Sequence, residues 1–156
     1  MNSFAETKAI GKDVETQGMI NAHFRDGAVV VEYLPSIGEE MREQTPLTEF
    51  STAKPLTQFR ELGENFKGLS FRAMSPVEKM LLCPMYCPTA ESDQPLNMSE
   101  IYLLDSGGHY LDGTTDVTRT IFFGKPKDEI KNDFTSVLKG MIRLRTAIFP
   151  LEESRK

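Results

Sequence analysis

The run DSGGHYLDGTTDVTRT, residues 105–120, constrains the fold more than any other part of this chain. It contains three aspartates, three glycines and four threonines, and apolar strand-like residues flank it on both sides. The segments IYLLDSG and DVTRTIFFG predict two β-strands joined by a glycine-rich connection. In an antiparallel pair, Asp105 at the end of the first strand and Asp116 at the start of the second would face each other near the turn.

Spacing alone leaves two interpretations of these aspartates open. Carboxylates in a partly buried setting are costly unless their charge is compensated, and a divalent cation compensates it well. Oxygen ligands suit Mg²⁺, Mn²⁺ or Zn²⁺. Runs rich in Asp, Gly and Thr are, however, usually turns in which aspartates bond to local amides. Asp112, which precedes Gly113, fits such a turn.

Two helices are predicted before the strands. Apolar residues recur at helical spacing within residues 12–34, and we expect Pro35 and Gly38 to end that helix. Residues 35–47 then resemble a loop. A second helical stretch covers residues 48–62, although the proline inside it would cost about 3 kcal/mol or kink the helix.

Lys125 and Pro126 are predicted to open a last helix, and Pro150 would end it. Its apolar residues recur in steps of three and four and form one stripe that we expect to be buried. They are Ile130, Phe134, Val137, Leu138, Met141, Ile142 and Ile148.

The segments LSFRAMS and MLLCPMY are two further strand candidates, and Pro84 and Pro88 restrict the second to an irregular or edge strand. Helix, helix, strands and helix in this order predict an α+β class with a mainly antiparallel sheet. About four short strands would leave at least one exposed sheet edge.

Composition narrows the class of protein. A chain of 156 residues fits one domain, and a net charge of −5 argues against a nucleic-acid partner. No apolar run approaches the ~20 residues of a membrane span, so no membrane partner is expected. The N-terminus MNSFAETKAIGKD lacks an apolar stretch and does not resemble a signal peptide. These features together predict a cytoplasmic protein.

Two cysteines and two histidines are the other candidate metal ligands. Cys83 and Cys87 form a C-x3-C that could be half a zinc site, but no second Cys/His pair accompanies it. We expect two thiols in a reducing cytosol. For His109 we expect a surface or turn role, and for His23 a packing or capping role in the first helix.

The longer string YLLDSGGHYLDGTTDVTRT closely resembles the metal-binding strand pair of Xaa-Pro aminopeptidases (aminopeptidase P), which have the creatinase/methionine-aminopeptidase pita-bread fold. Upstream, KAIGKDVETQGMINAHFRDGAV is similar to the first helix of that catalytic domain, and FFGKP is similar to the segment after the second Asp. The resemblance covers roughly residues 8–150. It implies that residues 1–150 are the N-terminal half of such a domain and that residues 151–156 are a polar tail.

The resemblance also implies a function. This family releases an N-terminal residue that precedes proline, so peptides with proline at the second position are the implied partners. Two metal ions, usually Mn²⁺ although Zn²⁺ or another divalent ion is an alternative, activate the attacking water. By this match Asp105 would chelate one metal and Asp116 would bridge both. Thr118 and Thr120 would be strand residues or, at most, would contact a side chain that binds the metal.

The chain departs from the family pattern at several positions. The family's ligating His and two Glu lie further along the catalytic domain than Pro150, so we expect the isolated chain to be inactive. Met85 stands where the family has a substrate-contacting His, and methionine can neither donate a hydrogen bond nor carry a proton. His109 lies where the family often has Gln.

Three hypotheses therefore remain open. The chain is the first half of an aminopeptidase catalytic domain, or a non-catalytic peptide- or protein-binding module derived from that fold, or a truncated product without a settled function. Half of a pseudo-symmetric fold would expose a sheet edge and an apolar helix face. We therefore expect association with a further copy, as a homo-oligomer, or with a chain that completes the fold.

Overall fold

The computed structural model describes residues 11–73, 88–89 and 91–148. Contacts divide the chain into two compact units, Met1–Phe123 and Gly124–Lys156. The described part of the first unit contains two helices and five short strands, and that of the second contains one helix. The elements are α1 (Asp13–Arg42), α2 (Glu49–Glu61), β1 (Phe66–Leu69), β2 (Tyr102–Ser106), β3 (Gly108–Tyr110), β4 (Gly113–Thr114), β5 (Val117–Ile121) and α3 (Asp128–Thr146).

Helix α1 does not end at Pro35, and the expected loop over residues 35–47 is wrong for its first part. The helix continues to Arg42. Proline removes one backbone hydrogen bond from the helix. The extra turns bury Ile37 and Met41 in the core, and this burial offsets the loss.

Helix α2 confirms the second predicted helix almost to the residue. Thr48 is its N-cap, and the Thr48 hydroxyl accepts a 3.1 Å hydrogen bond from the backbone N–H of Ser51. Pro55 lies inside the helix without ending it. The buried residues Leu56 and Arg60 follow at helical spacing, so one face of α2 is fixed against the rest of the unit.

The strands form two antiparallel sheets. β2 pairs with β5, which confirms the two strands predicted around the aspartate run. β1, β3 and β4 form a second sheet in that order. Of the predicted strand LSFRAMS, Leu69 is the last residue of β1 and residues 70–73 are not in a strand, so the prediction is wrong for those four residues. Residues 74 and 75 and the segment MLLCPMY lie outside the described residues. β3 and β4, which lie within the connection between the aspartates, were not predicted.

The core of the first unit lies between the two helices and the inner face of β2. Alternate residues of β2 point inward, and Tyr102 and Leu104 are both buried. The buried residues that form the cluster are Val30, Tyr33, Ile37, Met41, Leu56, Tyr102 and Leu104. The outer face of β2 therefore carries the remaining alternate residues, among them Asp105.

Helix α3 confirms the last predicted helix, although it ends at Thr146, before the described residues end. The expectation that its apolar stripe is buried is wrong within this unit, because no residue of the helix is buried and the described part of the unit contains no other element to cover it. None of the described helices is long and apolar enough to cross a membrane.

Candidate functional site

The outer face of the β2–β5 pair carries the first predicted metal ligand. Asp105 pairs with Thr118, and Leu103 pairs with Thr120, so these four side chains share one face of the strand pair. The Thr118 hydroxyl donates a 2.8 Å hydrogen bond to Oδ1 of Asp105. The Asp105 carboxylate is therefore held on the open side of the strands, away from the core.

The second predicted ligand, Asp116, lies immediately before β5 and is exposed. It is two residues from Thr118, and side chains of an extended chain alternate between faces. In an extended segment this alternation would carry Asp116 to the face on which Asp105 lies. The pairing of the two aspartates as metal ligands stays a prediction.

Behind this face lies a fully buried ion pair that was not predicted. Arg60 of α2 binds Asp26 of α1 at two points: Nε is 2.6 Å from Oδ1 and Nη2 is 3.1 Å from Oδ2. Both side chains have no solvent exposure. Nη2 also donates a 3.1 Å hydrogen bond to Oγ of Ser106, the last residue of β2. The ion pair therefore joins both helices to the strand that carries Asp105.

Asp26 has further partners besides the guanidinium. The Tyr110 hydroxyl donates a 2.9 Å hydrogen bond to its Oδ1. Burial by itself would raise the pKa of Asp26, but Arg60, with hydrogen bonds from Tyr110 and Thr115, outweighs burial and holds this pKa below its ordinary value. Desolvation, together with the charge of Asp26, raises the pKa of Tyr110. Asp26 is thus a carboxylate in the core.

The β3–β4 hairpin occupies the connection between Asp105 and Asp116. Its two ends are bonded to each other, since the N–H of Gly108 donates to Oγ1 of Thr115 and the N–H of Thr115 donates to the carbonyl of Gly108, both at 2.9 Å. Because these bonds join the two ends of the hairpin, the chain comes back beside the end of β2 before β5 begins.

The tip of the hairpin rests on α1. Asp112 lies in the turn between β3 and β4, which agrees with its predicted turn role, but its carboxylate forms an ion pair with Arg25 of α1. The Arg25 guanidinium also lies 5.4 Å from the centre of the Tyr110 ring, a cation–π contact. A Cβ on Gly18 would lie 2.1 Å from the Asp112 carbonyl oxygen, so the helix and the turn are in close contact.

Both histidines are exposed, which agrees with the surface role expected for His109, whereas the packing or capping role expected for His23 is not observed. The His109 ring nitrogen Nδ1 is 3.0 Å from the hydroxyl of Thr114 on the neighbouring strand. The His23 ring nitrogen Nδ1 is 2.8 Å from the carbonyl of Met19 one turn earlier in α1. Both side chains make local contacts that need no metal. The remaining candidates, Met85, Cys83 and Cys87, lie outside the described residues.

The donor set on the open face fits hard divalent cations. Asp105 and Asp116 offer oxygen atoms only, which suits Mg²⁺ and Mn²⁺. Across residues 11–73, 88–89 and 91–148, no three His, Cys, Asp or Glu side chains are grouped closely enough to hold a metal ion.

Comparisons with known proteins agree with this geometry. The profile of metallopeptidase family M24 matches residues 17–154. A protein of Tuber melanosporum named "Probable Xaa-Pro aminopeptidase P" is 45% identical over 145 residues, which cover 93% of this chain and 23% of the relative. The chain thus spans about a quarter of the length of the curated relatives that it matches.

Solved structures give the same result. X-prolyl aminopeptidase from Caenorhabditis elegans, described as a cytosolic enzyme with a di-nuclear active site, is 41% identical with a TM-score of 0.86. The match covers 92% of this chain and 24% of that one.

X-Pro aminopeptidase from Thermotoga maritima, at 20% identity and a TM-score of 0.77, shares the fold; the match covers 91% of this chain and 38% of that one. The expected fold class, α+β with half of a pita-bread domain, is confirmed. The family profile covers most of the 156 residues, and the chain therefore belongs to metallopeptidase family M24.

Proposed function

We propose that this chain provides the first two carboxylate ligands of an Xaa-Pro aminopeptidase-type metal centre. Asp105 would chelate one ion, and Asp116 would bridge two. The observation that carries the proposal is the placement of Asp105, which is hydrogen-bonded to Thr118 on the face of β2 opposite to the buried residues of that strand. A carboxylate held in this way is oriented before a cation arrives.

The cations would supply the chemistry. Two divalent ions, when bound, polarise a scissile carbonyl and activate a water molecule. The residues of this chain would orient the ligands: the Thr118 hydroxyl donates a hydrogen bond to Oδ1 of Asp105, and Asp116 would add a second carboxylate from its position just before β5. By likeness to relatives named Xaa-Pro aminopeptidase, we propose peptides with proline at the second position as substrates. Mn²⁺, which the family resemblance of the sequence implies, is the proposed metal.

We further propose that these 156 residues by themselves release no N-terminal residue. The affinity of a metal site rises with the number and preorganisation of its ligands, and two carboxylates are few. The described residues bring no third metal ligand to this face. Catalysis would then need ligands from further polypeptide, either a completing chain or a second copy of this one.

Manganese titration followed by NMR tests the site. Mn²⁺ broadens nearby amide signals, so we expect residues around Asp105 and Asp116 to broaden first, at about 10⁻⁴–10⁻³ M as for loosely built oxygen sites. Asp105→Asn or Asp116→Asn should abolish this selective broadening. Asp133→Asn, which removes an exposed acid from α3, is the charge-matched control and should leave it unchanged. Broadening spread evenly over all acidic residues would contradict the proposal.

An activity assay tests the second claim. An Xaa-Pro peptide incubated with the purified chain and Mn²⁺ should release no free N-terminal residue. Turnover that is lost on Asp105→Asn would show that the chain is an active enzyme alone and would overturn the claim.

A non-catalytic binding module is the second candidate function. It is favoured by the small number of metal ligands on the open face within the described residues. Peptide affinity measured with and without EDTA separates the two functions. A module of this kind binds equally well in EDTA, whereas binding through a metal centre is lost.

The cellular location is a proposal that rests on similarity. The Caenorhabditis elegans relative is described as a cytosolic enzyme. We propose that this chain is cytoplasmic as well. Fluorescence microscopy of the tagged chain, with diffuse cytoplasmic signal as the expected result, tests it.

A further inference from the structure

We propose that Asp26 and Arg60 are positioning residues that hold the two candidate ligands in place from the opposite side of the strands. The buried ion pair is hydrogen-bonded to Ser106, the residue next to Asp105, and to Tyr110 of β3. The first residue of β3, Gly108, is in turn hydrogen-bonded to Thr115, the residue next to Asp116. The ion pair touches neither carboxylate itself. This inference rests on the proposed function for the identity of the ligands, but its geometry is independent of any metal.

The contact near Asp105 is made through Ser106. Nη2 of Arg60 donates a 3.1 Å hydrogen bond to Oγ of Ser106, and both residues are fully buried. Neighbouring residues of a strand point to opposite faces. Fixing the side chain of Ser106 in the core therefore fixes the direction in which Asp105 leaves the strand on the open face.

The link toward Asp116 runs through Tyr110 and the hairpin to Thr115. The Tyr110 hydroxyl donates a 2.9 Å hydrogen bond to Asp26, and Thr115 is fully buried, with its hydroxyl oxygen accepting a 2.9 Å hydrogen bond from the N–H of Gly108 in the same hairpin. The backbone of Thr115 is held as well, because the Ser70 hydroxyl donates a 2.9 Å hydrogen bond to the Thr115 carbonyl and the Thr115 N–H donates at 2.9 Å to Gly108. Thr115 thus holds the start of β5 as Ser106 holds the end of β2.

The two contacts are coupled by the ion pair. The guanidinium of Arg60 binds both oxygens of Asp26, so neither group can turn without the other. Buried ion pairs contribute little net stability, because desolvation cancels much of their attraction. A role in fixing the geometry of Ser106 and Thr115 explains why a charged pair occupies this part of the core.

Removing the two hydroxyls tests the proposal while leaving the ion pair intact. The test variant is Ser106→Ala with Thr115→Val, and each single variant is made as well in case the double variant does not fold. Thr57→Val is the control, since it removes a hydroxyl from α2 that donates only to Ala53 within the same helix. All variants are compared at equal fractions of folded protein.

Two measurements are made on each variant. Amide hydrogen exchange reports the local order of β2 and β5 without any metal. Mn²⁺ titration reports affinity at the open face, where losing a supporting contact commonly costs about 10–100-fold. We expect faster exchange in β2 and β5 and weaker Mn²⁺ binding in the test variants, with neither change in Thr57→Val.

The outcomes separate this inference from the proposed function. Unchanged exchange in the test variants, or an equal change in the control, overturns the positioning role whatever the metal does. If the wild type binds no Mn²⁺ at the two aspartates, the metal-binding claim fails. The hydrogen exchange of the variants then decides the positioning role by itself. Focused Mn²⁺ binding that the variants leave unchanged supports the proposed function and overturns the positioning role.

Discussion

The hydroxyl of Thr118 and the carboxylate of Asp105 face each other across the β2–β5 pair at 2.8 Å. The hydroxyl engages Oδ1 and leaves Oδ2 for another partner. A strand carboxylate would otherwise rotate about its side-chain bonds. This single contact therefore selects an orientation for the best-placed candidate ligand.

Replacing Thr118 should weaken metal binding. In Thr118→Val the hydroxyl is lost, the shape is nearly kept, and the Asp105 carboxylate is free to rotate. We expect Mn²⁺ affinity at this face to fall by about tenfold, as for other contacts that orient a ligand. Thr120→Val is the matched control, because Thr120 lies on the same face but pairs with Leu103. Equal losses in both variants would show that the hydroxyl has no specific effect.

Breaking the buried ion pair should cost more than removing it. Arg60→Met leaves the Asp26 charge buried and unpaired, which should lower the free energy of unfolding by about 3–5 kcal/mol. Adding Asp26→Asn removes that charge, so the double variant should be more stable than Arg60→Met alone. Urea denaturation of the two variants and the wild type measures this difference. A double variant less stable than Arg60→Met would argue against an unpaired charge as the cause.

The ion pair also predicts a pH dependence. The pKa of Asp26 is lowered in the folded chain from an ordinary value of 3.8, so its contribution to stability is complete above that pH. It is lost as the pH falls through the lower folded-state pKa. Asp26→Asn should therefore be less stable at neutral pH and should lose less stability between pH 4 and pH 2. Denaturation curves across this range measure it, and Thr57→Val, which changes no titratable group, should keep the wild-type slope.

Two glycines of α1 should respond in opposite ways to alanine. A Cβ on Gly18 would lie 2.1 Å from the Asp112 carbonyl oxygen, so Gly18→Ala must push the hairpin away and should cost about 1–3 kcal/mol. Nothing lies within 4 Å of a Cβ on Gly27, so Gly27→Ala should gain about 0.5–1 kcal/mol through helix propensity. Thermal melts of both variants test the pair. A loss of stability in Gly27→Ala would show that helix propensity is not the governing term there.

The elements with strong periodicity could be predicted from the sequence. β2, β5 and α2 lie where the patterns placed them. The predicted end of α1 was wrong because the free-energy cost of Pro35 inside the helix is smaller than the free energy gained by burying Ile37 and Met41. That comparison needs the tertiary structure.

The strand pair that carries Asp105 could be predicted from the sequence, but the buried ion pair behind it could not. Asp105 and Asp116 stand out because acids are rare next to strand residues. Asp26 and Arg60 lie on different helices, and nothing near either residue in the chain indicates its partner. β3 and β4 have three and two residues, too few for an alternating pattern.

The hairpin between the two candidate ligands closes through mutual hydrogen bonds of Gly108 and Thr115. These hydrogen bonds at the base of the hairpin, rather than the number of residues in the hairpin, therefore set the separation of the two acids. A longer or shorter tip around Leu111 would leave the two acids in place. It would change only how the tip packs on α1.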